Sequence, residues 1–527
     1  MMKKTLFVNG RIHTLDAQKP MVAAIAAQGG RIVAAGEDHE VISLKGAADE
    51  VIDLEGRTAL PGFTDSHVHF LSLSERFEEV DLEGAASLEE ALRRVAKGAA
   101  AASPGGWVTG GGWNKNLWGG FPTRGDLDRV AADRAVAMSS KDGHALWVNS
   151  KALAVAGVTR ATEDPPNGAI QRAGDGEPTG ILFEFAQGLV YRHVPPRTAA
   201  DYARLLARGI REAHALGLVG VHCPEGTEAF RAFQDVRAAG ALDFRVFMMG
   251  PAEALPAAIP LGLRTGFGDE FLRVGAVKAF ADGALGPQTA DMLDDYEDRP
   301  GYRGIATTTP ETVKELVATA TRSDFSMAIH AIGDRANRIV LDAYEAVVEE
   351  SRARGLRHRI EHAQLLHPDD LPRFARLGVI ASVQPIHATS DRYIADKYWG
   401  ARARLAYPFR SLLASGARLC FGSDGPVESI DPLKGIYAAV TRKRADEPDS
   451  RPWYPEERLT VDEAVRGYTE WAAYASREER SRGTLSPGKL ADLIVLSRDI
   501  FNEPPEVIPE TRVLMTVVGG KVVHRAG

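Results

Sequence analysis

Cysteine is almost absent from this sequence, since Cys223 and Cys420 are the only two in 527 residues. Two cysteines so far apart supply neither a disulfide framework nor a thiolate zinc site. Any bound metal must therefore use histidine, aspartate, glutamate or lysine side chains. Because both cysteines fall in apolar runs at predicted strand ends, we interpret them as inert buried thiols.

Long apolar runs and an excess of one charge are also missing. No stretch reaches the roughly 18 apolar residues of a membrane-spanning helix, and the N-terminal run 6–8 is too short for a secretory signal. The 63 basic and 71 acidic residues leave a net charge of −8 without long like-charge blocks. We therefore expect a cytoplasmic protein with no nucleic-acid or membrane partner.

The composition is that of an ordinary globular enzyme. Hydrophobic residues make up 44%, charged residues 25% and aromatic residues 7% of the chain, which excludes disorder or coiled coil as its main state. The length corresponds to about three to four units of about 150 residues. A large fold with appendages is expected.

Short apolar runs ending in Gly, His, Asp or Lys alternate with Ala-, Leu- and Arg-rich helical stretches through the middle of the chain. Eight of them are predicted as strands: 58–65, 218–223, 244–249, 274–280, 326–331, 358–362, 379–384 and 418–423. Eight parallel strands with crossover helices close into a barrel with its active site at the carboxyl ends. The predicted fold class is α/β, a distorted (β/α)8 TIM barrel over residues 61–479.

Two further regions are predicted around this barrel. Residues 1–60 and 480–527 are rich in short β-runs and turn signals, so we expect them to form one small β-sandwich from both termini. Residues from about 72 to 200 separate the first two barrel strands, and a loop of that size must fold as its own subdomain. We expect this insertion to lie over the barrel mouth and to select the substrate.

Metal-ligand side chains follow several of the predicted strands. His67 and His69 follow the first strand, and residues two apart on a strand point to the same side, so both can reach one metal. A His-x-His pair alone is a weak signal. Further candidates lie on strands four, five, six and eight: Lys278, His330, His362 and Asp424. Because these strand ends converge in a barrel, the set as a whole predicts a metal centre.

Neutral imidazoles suit zinc and related divalent cations, which lower the pKa of bound water to about 7 and so provide hydroxide at neutral pH. Such a hydroxide attacks a carbonyl carbon. Asp424, beside the metal, is then placed to accept the proton of the attacking water and to deliver it to a leaving nitrogen. It is our candidate general base and acid.

The sequence around these residues resembles the metal-dependent amidohydrolase superfamily, in particular its YtcJ-like and N-substituted formamide deformylase-like branch, amidohydrolase family 3. The resemblance runs nearly end to end and is specific to the family, but says little about the substrate. The motifs that carry it are PGFTDSHVH at 61–69, GWN at 112–114, DGH at 142–144, NS at 149–150, VKAFADGALG at 277–286, HAIGD at 330–334, EH at 361–362, QPIH at 384–387, GSD at 422–424 and PGKLADL at 487–493.

This resemblance implies two metals, which we expect to be two Zn2+ ions. His67, His69 and Asp424 are implied as ligands of the first, and His330 and His362 as ligands of the second. It also implies that Lys278 is carboxylated and bridges the two, and an anionic carbamate suits cations where an ammonium would be repelled. The alternative is that Lys278 stays a cation paired with Asp282 or with substrate, which leaves a mononuclear site.

Four more residues are candidates for substrate handling, each with a plainer alternative. His144 is placed to polarise a substrate carbonyl, or is a structural histidine of the insertion. Trp113 forms an apolar wall over the metals, or packs in a core. Asp282 is predicted near the substrate, or it forms hydrogen bonds to ligands or backbone. His387 is also predicted near the substrate, or it is a solvated histidine of a loop.

The leading hypothesis is hydrolysis of a non-peptide carbon–nitrogen bond in a small-molecule amide or N-formyl compound. A mononuclear heterocycle deaminase is disfavoured, because it requires a Glu near strand five, where the chain reads HAIGD at 330–334. A catalytically inactive binding or regulatory homologue would lack a ligand, and none is missing. A metal content of about two ions per chain supports the carbon–nitrogen hydrolase, about one supports the mononuclear deaminase, and about zero supports the inactive homologue. Homodimer formation is left open.

Overall fold

The computed structural model describes residues 3–102, 106–141, 145–166 and 168–527. It divides into two compact units. The first, the barrel unit, comprises Met1–Leu71 and Leu206–Gly527, and the second, the insertion unit, comprises Ser72–Leu205.

Strands and helices are numbered in chain order. Strands β1 to β24 of the described residues are Lys4–Val8, Arg11–His13, Met21–Val22, Ala24–Gln28, Arg31–Gly36, Glu50–Asp53, Thr58–Pro61, Phe63–Asp65, Val80–Asp81, Val108–Trp113, Val136–Ser140, Ala145–Val148, Gly168–Arg172, Pro178–Glu184, Leu218–Cys223, Arg245–Pro251, Leu272–Phe280, Met327–Ala331, Arg359–His362, Ile380–Val383, Arg418–Phe421, Leu493–Leu496, Val513–Val518 and Lys521–Arg525. Helices α1 to α20 of the same residues are Asp38–Ile42, Phe70–Arg76, Leu88–Ala101, Lys115–Trp118, Arg124–Ala131, Ser150–Ala156, Gly188–Tyr191, Ala199–Ala215, Thr227–Ala238, Leu255–Ala258, Pro310–Arg322, Asp334–Glu345, Val348–Ala353, Leu371–Leu377, Pro385–Ser390, Arg392–Trp399, Phe409–Ala414, Pro432–Thr441, Val461–Gly467 and Glu470–Ala475.

A parallel sheet of eight strands forms the centre of the barrel unit within the described residues. Its order is β21-β20-β19-β18-β17-β16-β15-β8, so successive strands of the chain are neighbours in the sheet. The backbone N–H of Ser66 donates to the carbonyl of Phe421 at 2.8 Å, which joins the two edge strands. Strands such as β15 are buried along their whole length, as expected for a parallel sheet covered on both faces. The predicted distorted (β/α)8 barrel is confirmed.

The first predicted barrel strand is not continuous. Residues 58–65 divide into β7, which joins a sheet of the terminal region, and β8, which begins the barrel. Pro61 has no N–H to donate to a ladder. At Gly62 a Cβ atom would lie 2.4 Å from Cγ1 of Val219, so only glycine allows this approach. The Pro-Gly pair therefore separates the two strands.

Strands of both chain ends pair in one sheet of order β24-β23-β22-β7-β2-β3, and a second sheet has the order β5-β4-β1-β6. Buried side chains from both sheets form a common core that includes Phe7, Ile25, Leu493 and Val517. The predicted β-structure built from both termini is thus present.

The insertion unit has its own mixed sheet, of order β13-β14-β12-β11-β10-β9. Helices α3 and α5 begin at the caps Ser87 and Thr123, and their buried residues pack into a core with those of the sheet. In the described part of the chain, no helix is both long and apolar enough to cross a bilayer.

A buried ion pair ties the barrel to the terminal sheet. Arg245, the first residue of β16, donates from Nε and Nη2 to the two carboxylate oxygens of Asp492 at 2.5 and 2.7 Å. Asp492 also accepts the backbone N–H of Gly519 at 2.8 Å. Both side chains are almost fully buried, at 2% and 6% exposure.

Arg245→Met is expected to lower the free energy of unfolding by about 3–5 kcal/mol, because it leaves the buried Asp492 carboxylate without its positively charged partner. Urea unfolding monitored by tryptophan fluorescence measures this loss. The control is Arg57→Met, which breaks the exposed pair with Glu55 and should leave the unfolding midpoint essentially unchanged. Equal midpoints for both variants would contradict a stabilising role for the buried pair.

Candidate metal centre at the carboxyl ends of the barrel strands

The first two candidate ligands meet the last one where the barrel closes. His67 and His69 follow β8, and Asp424 follows β21. The Nε2 atoms of both histidines lie 3.4 Å from the same carboxylate oxygen, Oδ1 of Asp424. The backbone N–H of Asp424 also donates to the carbonyl of His67 at 2.7 Å. Two imidazoles and one carboxylate therefore converge on one point.

Two further histidines lie beside this group. His362 ends β19, and its ring centroid lies 5.0 Å from that of His67 and 4.5 Å from that of His330 on β18. His67, His362 and Asp424 each offer one ligand atom, and these atoms lie within 4.8 Å of one another. This group joins His362 to His67 and Asp424, two of the ligands that the family resemblance assigns to the first metal.

Hydrogen bonds to the second ring nitrogen orient these imidazoles. Nδ1 of His67 lies 2.5 Å from Oε2 of Glu361, and Nδ1 of His362 lies 2.9 Å from Oε1 of Gln384. When Nδ1 donates to an oxygen acceptor, Nε2 keeps its lone pair for a metal. Both partners therefore support the ligand role of the ring that they contact.

Burial keeps the rings of His67, His330 and His362 uncharged. It lowers the pKa of His67, lowers that of His362 well below its usual value, and lowers that of His330 to about 3. Burial alone would raise the pKa of Asp424, but the hydrogen bond from His69 holds it well below its usual value. The centre thus combines neutral nitrogen donors with an ionised carboxylate.

Lys278 lies within β17 with its amine buried. Its side-chain Nζ has no hydrogen-bond partner among the described residues and lies 4.5 Å from the centroid of the Phe280 ring. Burial lowers the pKa of this amine to about 8, although Glu361 and Asp424 oppose the shift. An unpaired buried amine beside a ligand group calls for a functional explanation.

Asp282, predicted to lie near the substrate or to hydrogen-bond ligands or backbone, is buried among backbone N–H groups. It is 2% exposed, and its oxygens accept the backbone N–H groups of Asp291, Ile332 and Gly333 at 2.8–3.0 Å. Burial raises its pKa to about 7. Its carboxylate holds the loops after β17 and β18 together, with Oδ1 3.6 Å from Nε2 of His330. These bonds favour the hydrogen-bonding alternative for Asp282, and its contact with substrate stays a prediction.

His387 lies in α15, next to the centre. Its ring is parallel to that of His362 within 10° at a centroid distance of 6.2 Å. Its Nε2 atom is buried and has no hydrogen-bond partner in the described part of the chain. The position agrees with the predicted neighbourhood of the site, and substrate contact by His387 stays a prediction.

Trp113, the predicted wall of the site, packs in the core of the insertion unit. It is 1% exposed, its Nε1 donates to the carbonyl of Met138 at 2.8 Å, and its ring contacts those of Trp118 and Trp147. This burial favours the packing role for Trp113 over that of a wall facing substrate. His144, the candidate carbonyl-polarising residue, lies outside the described residues.

The sequence interpretation missed the residues that support the ligands. Glu361 and Gln384 hold two imidazoles, and Asp65 accepts the backbone N–H groups of His67 and Ser423 at 3.0 and 3.1 Å. The sequence contains a signal for Glu361, which is a charged residue within a predicted apolar strand. Because a buried charge requires a partner, such a residue indicates a buried polar contact.

The amidohydrolase family profile matches residues 50–524, so the chain belongs to the amidohydrolase family. It is 36% identical over 534 residues to Protein LONG AFTER FAR-RED 3 of Arabidopsis thaliana, covering 98% of this chain and 91% of that protein. It is 30% identical over 541 residues to N-substituted formamide deformylase of Arthrobacter pascens, covering 98% of each.

The fold is shared with a solved structure, an uncharacterized metal-dependent hydrolase from Pyrococcus furiosus. The TM-score is 0.80 at 30% sequence identity, and the match covers 95% of this chain and 100% of that one. The predicted resemblance to this branch of metal-dependent amidohydrolases is confirmed.

Trp113→Ala is expected to destabilise the insertion unit by about 3–5 kcal/mol, because it leaves a cavity in a packed core. Hydrogen exchange of β10 to β12 measures the loss of protection, with Trp113→Phe as the conservative control that should lose less. Metal content should not change. Unchanged protection together with a raised KM would instead support the predicted wall facing the substrate.

Proposed function

We propose that this chain is a metal-dependent hydrolase that cleaves a non-peptide carbon–nitrogen bond in a small-molecule amide, N-formyl or N-acyl compound. The observation that carries the proposal is the convergence of His67, His69 and His362 on Asp424 at the barrel mouth. The name of the Arthrobacter pascens relative, a deformylase of N-substituted formamides, supports an amide-type substrate.

The residues present fit a divalent metal. Uncharged imidazoles next to an ionised carboxylate form a nitrogen and oxygen donor set that suits zinc. We propose that two Zn2+ ions would be held by the side chains of His67, His69, Lys278, His330, His362 and Asp424. When bound, such cations polarise a carbonyl group and lower the pKa of water to about 7.

Asp424 is the proposed base and acid. Its carboxylate is ionised and only 13% exposed, so it accepts a proton from the attacking water at an oxygen that already faces two imidazoles. It then returns this proton to the leaving nitrogen, which departs as an amine. The backbone bond from its N–H to the His67 carbonyl keeps the carboxylate in place during both transfers.

Lys278 is proposed to carry a carboxyl group. Its uncharged amine attacks the carbon of carbon dioxide, so that an N–C bond forms while one C–O π bond breaks and its electron pair moves to oxygen. The nitrogen then gives one proton to water, which leaves an anionic carbamate. The buried Nζ without a hydrogen-bond partner supports this, since the carbamate offers two oxygens to cations where an ammonium would be repelled. If Lys278 remains an amine, a mononuclear centre results.

The competing functions lack a supporting observation. A deaminase requires a free acid after the fifth barrel strand, β18. The acid that follows β18 is Asp334, but it is 5% exposed and accepts the backbone N–H of Leu293 at 2.8 Å. An inactive homologue requires a lost ligand, and all five proposed metal-binding His and Asp residues are present. Metal analysis of the purified protein separates these cases, and a screen of N-formyl, N-acyl and lactam compounds identifies the substrate.

Asp424→Asn is expected to lower kcat by about 10²–10⁴ while the fold stays intact, because the proton acceptor is lost. Steady-state turnover of the best compound from the screen measures the effect. The control is Asp431→Asn, whose side chain caps α18 by accepting the N–H of Leu433 and for which asparagine is an equally good cap. Near-normal turnover of Asp424→Asn with metal retained would contradict the assignment.

Lys278→Ala is expected to reduce metal content from about two ions per chain to about one, because the bridging oxygens are lost. Elemental analysis by mass spectrometry measures the content. Acetate added to this variant should partly restore metal and activity, since it supplies carboxylate oxygens to the vacated space. Two retained metals and full activity would exclude Lys278 as a ligand.

A further inference from the structure

The guanidinium of Arg359 lies in the barrel interior beneath the candidate ligands and is 1% exposed. Its Nε donates to Oε1 of Glu361 at 2.5 Å, and its Nη2 donates to Oε2 at 3.0 Å. A guanidinium has no acceptor atom, so both oxygens of Glu361 act as acceptors in this pair. Glu361 is itself fully buried, at 0% exposure.

The same carboxylate touches a metal ligand. Oε2 of Glu361 lies 2.5 Å from Nδ1 of His67, while Nε2 of His67 faces Oδ1 of Asp424 at 3.4 Å. With Glu361 accepting, the proton of the imidazole is on Nδ1 and the lone pair is on Nε2. Arg359 thus acts through Glu361 on the nitrogen of His67 that is presented to the centre.

Arg359 also holds the backbone that carries His67. Its Nη2, which also faces Glu361, lies 2.6 Å from the carbonyl oxygen of Ser66 and 2.5 Å from Oγ of Ser382, so its two N–H groups are shared among three acceptors. Its Nη1 lies 2.9 Å from Nδ1 of His222. These partners belong to different strands or strand ends of the barrel. A lysine in its place has a single nitrogen and cannot reach the same set.

We propose that Arg359 is a positioning residue for the metal centre, because one guanidinium fixes both the ring of His67, through Glu361, and the backbone carbonyl that precedes it. The inference rests on the proposed function, in which His67 is a metal ligand. It adds a residue that touches neither metal nor substrate but determines how a ligand presents its nitrogen.

The chain contains a matched reference for this role. Arg245 and Asp492 form a second buried two-point pair in the same barrel unit, and neither contacts a candidate ligand. Arg359→Lys and Arg245→Lys each keep the charge and remove the planar fork. A purely structural role predicts the same outcome at the metal centre for both variants.

The test measures Zn2+ affinity by competition with a fluorescent chelator, and the His67 tautomer by ¹⁵N NMR of the metal-free protein. Arg359→Lys should weaken Zn2+ binding about 10–100-fold, as removal of ligand support does, and should populate the Nε2–H tautomer of His67. Arg245→Lys should leave both readouts unchanged. Ser382→Ala removes one acceptor of Arg359 and should weaken Zn2+ binding about twofold to tenfold. This milder variant tests the proposal if Arg359→Lys does not fold.

Wild-type Zn2+ affinity and an unchanged His67 tautomer in folded Arg359→Lys would overturn the proposal. Equal losses of affinity in Arg359→Lys and Arg245→Lys would overturn it too, because they would indicate a general effect of stability. A Zn2+ affinity that is insensitive to His67→Ala would contradict the proposed metal centre instead. The tautomer of the metal-free protein tests Arg359 independently of that result.

Discussion

Closure of the barrel between its first and last strands is the constraint on which the candidate centre depends. The backbone N–H of Ser66 donates to Phe421, and that of Ser423 donates to the carboxylate of Asp65, 358 residues away in the chain. These bonds place His67 and Asp424 side by side. Without them the first and last strands would be the free edges of an open sheet, and the ligands they carry would lie far apart.

Burial determines both the packing and the chemistry of this region. A buried polar group is stabilised by a partner, as the Arg359–Glu361 contact beneath the centre illustrates. The same burial lowers the pKa of the imidazoles and so leaves their lone pairs available. The amine of Lys278 lacks a hydrogen-bond partner within the described residues, which is the observation behind its proposed carboxylation.

Much of this arrangement could be predicted from the sequence, because parallel strands are apolar runs and the polar residues that follow them must collect at one edge. That logic located His330, His362 and Asp424. It failed at residues 58–65, where Pro61 and Gly62 divide one apolar run between two sheets. The sequence pattern also suggested that Trp113 contacts substrate. A tryptophan that follows three glycines does not indicate whether its side chain points into a core or towards a ligand.

Other features depend on three-dimensional context that no local pattern contains. Glu361 and Arg359 are two apart on one strand, and only the closed barrel shows that their shared face meets His67. His362 and Asp424 have φ values of 71° and 59°, a region that residues other than glycine rarely adopt. Backbone strain of this kind collects at functional sites, where surrounding contacts hold it in place.

The central claim is that a divalent metal binds where these ligands converge. The most direct test is X-ray diffraction from crystals of the zinc-loaded protein, with anomalous difference maps calculated from data on both sides of the zinc absorption edge. We expect an anomalous peak at about 2.0–2.2 Å from Nε2 of His67 and from a carboxylate oxygen of Asp424, and a second peak next to His330. A zinc-saturated crystal without a peak at the barrel mouth would contradict it.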